Sequence, residues 1–313
     1  MGTQQSAKTE LFAQWLSGNL VMADQGLSTG RRVFVHSGTG SDAGGFGASP
    51  DKPVATLDYA IGLCTANKGD KIYLMPGHAE TFIVTNGFDA DVAGIEIIGL
   101  GWGAARPTFT LNHANAQVNI GAASVRIRNV RFVADITAVV AGVQVEGVTD
   151  AEFHDCEWYW GGTTGDDFIL GLELEAGSHR ARIKNCRFLA EPAVAGAQAA
   201  IELTGASDNV RIEDCEFMGD YSVACIHGDT TLSQGLMVLN PLVHNTDAGE
   251  PYLEVLTGTT GVIAGARGLA SGATIAANAV ADAMAHCENF VANTAGTIAI
   301  IKGAGGSPAL DAD

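Results

Sequence analysis

Ile183-Lys184-Asn185-Cys186-Arg187-Phe188 is one of four copies of a phrase in this chain. The others are Ile127-Arg128-Asn129-Val130-Arg131-Phe132, Phe153-His154-Asp155-Cys156-Glu157-Trp158 and Ile212-Glu213-Asp214-Cys215-Glu216-Phe217. Each reads apolar, charged, Asn or Asp, Cys or Val, charged, aromatic. Counted at Val130, Cys156, Cys186 and Cys215, the copies lie 26, 30 and 29 residues apart. Looser versions flank them at Ile97-Ile98-Gly99-Leu100-Gly101-Trp102 and Val238-Leu239-Asn240-Pro241-Leu242-Val243. A second phrase runs between the copies: Val118-Asn119-Ile120, Val143-Gln144-Val145, Leu172-Glu173-Leu174 and Ile201-Glu202-Leu203, its final residues 25, 29 and 29 apart. Both phrases share one period, and both alternate apolar and polar residues as strands do. The units are therefore coils of strands.

The Asn or Asp inside the first phrase interrupts the alternation, because the apolar residues on either side cannot both point inward along one straight strand. Asn and Asp tolerate the left-handed region better than other non-glycine residues, so a one-residue corner is predicted there. Stacking such coils about 4.8 Å apart sets like over like: Asn/Asp at the corner, Cys/Val and Phe/Trp inside. The fold class that follows is all-β, a right-handed single-stranded parallel β-helix of about seven coils between Lys71 and Gly268.

The rest of the composition agrees. Of 313 residues, 47% are hydrophobic, 17% are charged and 40 are glycine, the balance of a solenoid with a tight turn at every corner. A net charge of −18 opposes a nucleic-acid groove or an anionic membrane surface, both of which call for clustered Lys and Arg. It suits mutual repulsion among many crowded copies, or docking on a basic partner. Three of the six cysteines share one rung position and should stack as reduced, buried hydrophobes. No CxxC pair or HExxH run offers a metal site, and no cofactor is implied. The start, Met1 to Thr9, lacks the marks of a signal peptide, so synthesis and folding in a cytoplasm are expected.

Four segments follow. Residues 1–30 form a predicted helical arm, capped by Ser6, whose stripe Leu11, Phe12, Trp15 and Leu16 is a candidate docking surface. Residues 31–69 hold a strand, a glycine-rich loop and a helix begun by Thr56 that plugs the open end of the solenoid. Residues 70–267 are the β-helix body. Residues 268–313 are predicted to cap the far end with a helix from Ala279 to Ala292, on the spacing of Val280, Met284, Cys287 and Val291. A strand at Thr297–Ile301 follows, whose Ile298 and Ile300 are candidates for pairing with another chain.

The run Gly38-Thr39-Gly40-Ser41-Asp42, Ser49-Pro50-Asp51-Lys52-Pro53-Val54-Ala55-Thr56-Leu57, then Lys68-Gly69-Asp70-Lys71-Ile72-Tyr73-Leu74, followed by coils bearing Ile-x-Asn-Cys-x-Phe, resembles the cap and body of pectate-lyase-like right-handed parallel β-helix proteins of the kind found in tailed-phage virions. The resemblance spans residues 31 to 267. It implies a homotrimeric structural protein on the virion surface, a capsid decoration or tail-associated component bound to the major capsid protein or tail proteins. A host-surface glycan is a further partner it implies.

It also directs attention to outward acids and bases. Arg182-Ile183-Lys184 matches a tripeptide of polygalacturonases, but the companion Asn-Thr-Asp and Gly-His-Gly motifs are missing, and the tripeptide is in register with Arg126-Ile127-Arg128 and Arg211-Ile212-Glu213. The repeat alone accounts for it. Asp166-Asp167 is a loop carboxylate pair, and Glu173 and Glu202 stand one coil apart at about 5 Å, a separation open to glycoside chemistry. Arg128, Arg131, Lys184 and Arg187 are expected to meet Glu157, Glu213 and Glu216 in ladders between coils. No catalytic residue is assigned; a polysaccharide-degrading tail spike or pectate-lyase-like enzyme, and a glycan-binding module, are the alternatives to the structural expectation. Tyr159 and Trp160 are the candidates for stacking on a glycan.

Overall fold

The computed structural model describes residues 13–16, 19–22, 30–160, 165–190, 196–228, 230–272, 279–280, 283–292 and 298–300. Every coil contributes one strand to each of three parallel sheets. The first sheet runs from Arg32–Val35 through Arg126–Arg128, Glu152–His154, Arg182–Lys184 and Arg211–Glu213 to Met284–Cys287. The second contains Arg131–Ala134, Glu157–Trp160, Arg187–Leu189 and Glu216–Gly219, and the third contains Val139–Val145, Phe168–Leu174, Ala199–Leu203 and Ala224–Gly228. Pairing is parallel and one coil apart, as in Ile127↔Phe153↔Ile183↔Ile212, so this is a parallel β-helix with the right-handed sense of parallel crossovers.

The repeated phrase is the corner between the first two sheets. Asn129, Asp155, Asn185, Asp214 and Asn240 all turn there with φ between 51° and 57°. Their side chains bond along the axis, Asn185 donating to Asp155 (2.5 Å) and Asn240 to Asp214 (3.1 Å). Inside, Phe109, Phe132, Trp158, Phe188 and Phe217 form a column with ring centroids 4.6–6.1 Å apart. Each such contact adds about 0.5–1.5 kcal/mol beyond area burial. Cys156, Cys186 and Cys215 are free, buried thiols one coil apart, and Cys186 Sγ donates to Phe153 O at 3.5 Å.

The cap helix, Leu57–Gly62, begins where expected. Thr56 Oγ1 accepts from Tyr59 N, while Asp42 accepts from the Thr56 hydroxyl (2.8 Å) and from Ala55 N (2.8 Å). Glu80, from the first coil, accepts from Leu57 N at 2.8 Å and bonds His78 Nε2 at 2.9 Å. Fully buried His78 accepts from Ser37 N at its Nδ1 (3.0 Å), so the cap is tied to the first coil through one carboxylate and one ring.

Both terminal helices are corrected. Ala13–Leu16 is a strand, paired antiparallel with Asn19–Met22; Leu11 and Phe12 lie outside the described residues. Trp15 and Leu16 therefore sit in a hairpin, with alternate rather than helical spacing. At the far end, Ala279–Val280, Met284–Cys287 and Phe290–Ala292 are three strands that continue the three sheets. Among the described residues the third sheet has eight strands, the expected seven between Lys71 and Gly268 and one more, Ala279–Val280, beyond them. Ile298–Ile300 pairs antiparallel with Phe290–Ala292 of its own chain, closing the last edge of the second sheet.

Candidate functional site

The strands of the third sheet carry acids and a histidine but no Lys or Arg, unlike those of the first two sheets. One outward column runs Asn119, Gln144, Glu173, Glu202, His227 and Glu254, one residue per coil at about 4.8 Å. The second phrase places these side chains: its apolar residues point inward, so the polar residue between them must point out. Glu202 is only 7% exposed, less than an ordinary solvated column would leave it. Both its oxygens lie against His227 Nδ1, at 2.7 and 2.9 Å.

Glu173, one coil earlier, differs. Burial, then the charges of Glu175 and Glu202, raise its carboxyl above the usual range, against hydrogen bonds from Thr204 and Gln144. Gln144 Nε2 also donates to Glu175 at 2.8 Å. Around the adjoining turns, Glu146 is raised by burial, Asp89 and Glu175, and Asp89 by burial, Asp91 and Asp58. A carboxyl inclined to keep its proton beside one braced by a histidine is the pairing that acid–base chemistry on a glycosidic bond uses. The Glu173–Glu202 adjacency was legible in the sequence. His227 was not, because its column has no Ile-Glu-Leu phrase at that coil.

The first and second sheets use their charges otherwise. Glu96 meets Lys71 (3.1 Å), Arg128 (3.5 Å) and Arg126 (3.7 Å), and Glu152 meets Arg126 (2.6 Å) and Arg182 (3.9 Å). Glu157, 5% exposed, receives Arg131 (2.6 Å), Arg106 (3.2 Å) and Arg187 (3.5 Å), and Arg187 reaches Glu216 (2.7 Å). Lys184 pairs with Glu213 at 3.5 Å. Burial pushes Glu152 up, but the hydrogen bond and charge of Arg126, with His154, overcome it and hold the carboxyl low. The expected ladders are present for Arg131, Lys184 and Arg187, whereas Arg128 pairs with Glu96 instead, and Arg182 and Lys184 of the polygalacturonase-like tripeptide are members of the ladders.

Asp167 is also structural: 6% exposed, it accepts from Ala138 N and anchors the turn before the third sheet. Tyr159 lies on the outer face of the second sheet, 37% exposed. Trp160 points inward instead, 2% exposed, its Nε1 donating to Phe168 O at 2.7 Å, because strand alternation allows only one of the two to face out. Among the described residues no group of three His, Cys, Asp or Glu is arranged to hold a metal, and no helix is long and apolar enough to cross a membrane.

No family model and no curated protein matches the chain. Among solved structures it is similar to the pectate lyase Pel9A, at 15% identity and a TM-score of 0.48, over 86% of this chain and 78% of that one. It is similar also to a rhamnogalacturonan lyase (12%, 0.42, over 84% and 66%) and to ORF18 of Geobacillus virus E2 (12%, 0.46, over 90% and 67%).

Proposed function

We propose that this chain is a non-enzymatic structural protein of a tailed-phage virion, a capsid decoration protein that displays its coils on the particle surface. The observation that carries the structural reading is the use made of charge. Arg126, Arg128, Arg131, Arg182, Lys184 and Arg187 each bond a carboxylate on the same or a neighbouring coil, so the bases that a lyase would hold ready for its substrate are spent tying coils together. The phage assignment rests on the likeness of the cap run and the Ile-x-Asn-Cys-x-Phe rungs. An excess of 18 negative charges fits a protein packed in many copies over a shell. In this reading the hairpin bearing Trp15 and Leu16 is the attachment point.

Quantitative mass spectrometry of purified particles tests it. Hundreds of copies per particle are expected; a few to a few dozen would move the protein to the tail, and absence from particles would overturn the reading.

Glu173 and the Glu202–His227 pair favour a second reading, a glycan-cleaving enzyme. The column carries no Lys or Arg to meet a polyuronate, so the substrate this reading takes is a neutral glycan. Turnover lost in Glu202→Gln with the melting temperature unchanged would replace the structural reading with this one.

A further inference from the structure

The outer face of the second sheet carries two columns side by side over four successive coils. The first, Arg131, Glu157, Arg187 and Glu216, alternates in sign. The second, two residues further along each strand, is Val133, Tyr159, Leu189 and Met218. These four are apolar and lie on the outside, Tyr159 exposed and the others half-buried. A continuous apolar stripe on an outer face marks a contact surface.

The alternation of charge selects the partner. Reversed, the order plus-minus-plus-minus becomes minus-plus-minus-plus. A twofold axis lying in the face, parallel to the strands and midway between the levels of Glu157 and Arg187, brings a second copy down antiparallel. Arg131 then faces Glu216 of the other copy and Glu157 faces Arg187. The same rotation lays Val133 on Met218 and Tyr159 on Leu189. Copies packed parallel do worse: an axis along the charged column sets Arg131 on Arg131, and an axis between the columns sets every charge on an apolar side chain. A threefold ring requires two different faces that match, whereas this face matches itself.

We propose that two copies of this chain pair antiparallel through the outer face of the second sheet, with the apolar stripe at the centre and the Arg131–Glu216 contact made twice by symmetry. Arg131 and Glu216 keep their in-chain partners, Glu157 at 2.6 Å and Arg187 at 2.7 Å, but their side chains are 34% and 26% exposed. A contact across the pair therefore adds to the ladder instead of replacing it, while Glu157 is covered by its own arginines. The stripe is short, four coils at about 4.8 Å, so the contact falls below the roughly 800 Å² per partner of a standard interface. Pairing is therefore weak and sensitive to salt. The inference stands apart from the virion reading, since it concerns the chain's affinity for itself in solution.

Sedimentation equilibrium on the full chain, up to about 100 μM, tests it. A concentration-dependent dimer is expected. Arg131→Glu should raise the dissociation constant at least ~10-fold, because like charges then meet at two places, and Arg131→Glu with Glu216→Arg should restore it. Melting each variant alongside separates lost pairing from lost folding. A monomer at every concentration, a trimer, a dimer indifferent to Arg131→Glu, or a folded double variant that stays apart would each overturn the proposal. Copy number in particles is read independently, so either proposal can fail without the other.

Discussion

A buried thiol column leaves little freedom at its middle residue. Cys186 is fully buried between Cys156 and Cys215, and burial first, then its two thiol neighbours, pushes its own ionisation far up. Cys186→Asp is expected to cost ~4 kcal/mol or more, because a carboxylate there has neither water nor a cation. A thermal melt unchanged by this substitution would contradict the rung assignment. Asn185→Val is milder, about 1–2 kcal/mol, since it strains the φ of 52° and removes the bond to Asp155. At this scale the first corner was legible, because Asn and Asp advertise it. The corner before the first sheet was not. It too turns with positive φ, at Ser124 (60°), Asp150 (62°), Arg180 (60°) and Asn209 (58°), but Ser and Arg carry no such signature. Arg180 is held there by a bidentate pair with Asp150 (2.8 and 2.7 Å), one coil away and 30 positions back in the chain.

At the scale of elements, the misreadings lie at the two ends. The segment Ala279–Ala292 has apolar residues at helical intervals and many alanines, which favour helix in isolation. The preceding coil offers it open edges on all three sheets, and pairing against those edges prevails over local propensity. Buried Asn289 stands where earlier coils have Cys, and it meets the backbone by accepting from Ala266 N (3.0 Å) and donating to Ile263 O (3.2 Å). The cap helix was readable from Thr56, whereas its fastening was not: Ser37, Leu57, His78 and Glu80 converge only after folding. Glu80→Ala removes the acceptor shared by Leu57 N and His78, at a local cost of about 2–4 kcal/mol. Hydrogen exchange should accelerate across Leu57–Gly62 while the Ile183 and Ile212 strands stay protected. Equal acceleration in both would mean that the cap is not a separate element of stability.

Over the whole molecule the charge is unevenly balanced. Asp89, Glu146, Glu173, Asp220 and Glu250 are all raised, by burial first and neighbouring carboxylates second. A carboxyl raised in the folded state holds its proton more tightly there. Its stabilising contribution is full below the unfolded value and is lost as pH rises through the folded value. Asp150 and Glu152 are lowered, so what they contribute is lost as pH falls. The melting temperature should therefore climb as acidification from neutral pH approaches the ordinary carboxylate range, about 4, then drop below it as the paired acids take up protons. A melting temperature that falls steadily from neutral pH would show that crowding on the third sheet carries no weight in stability. The reversed strand Ile298–Ile300 has a consequence of another kind. A stack of parallel strands is an open-ended polymer: whatever edge it finishes on is the edge the next strand needs, whether that strand belongs to the same molecule or to a stranger. One strand laid the opposite way changes that edge on the second sheet and acts there as a chain terminator. Removing it should turn a protein of fixed length into a seed for fibres, visible as light scattering that grows with time.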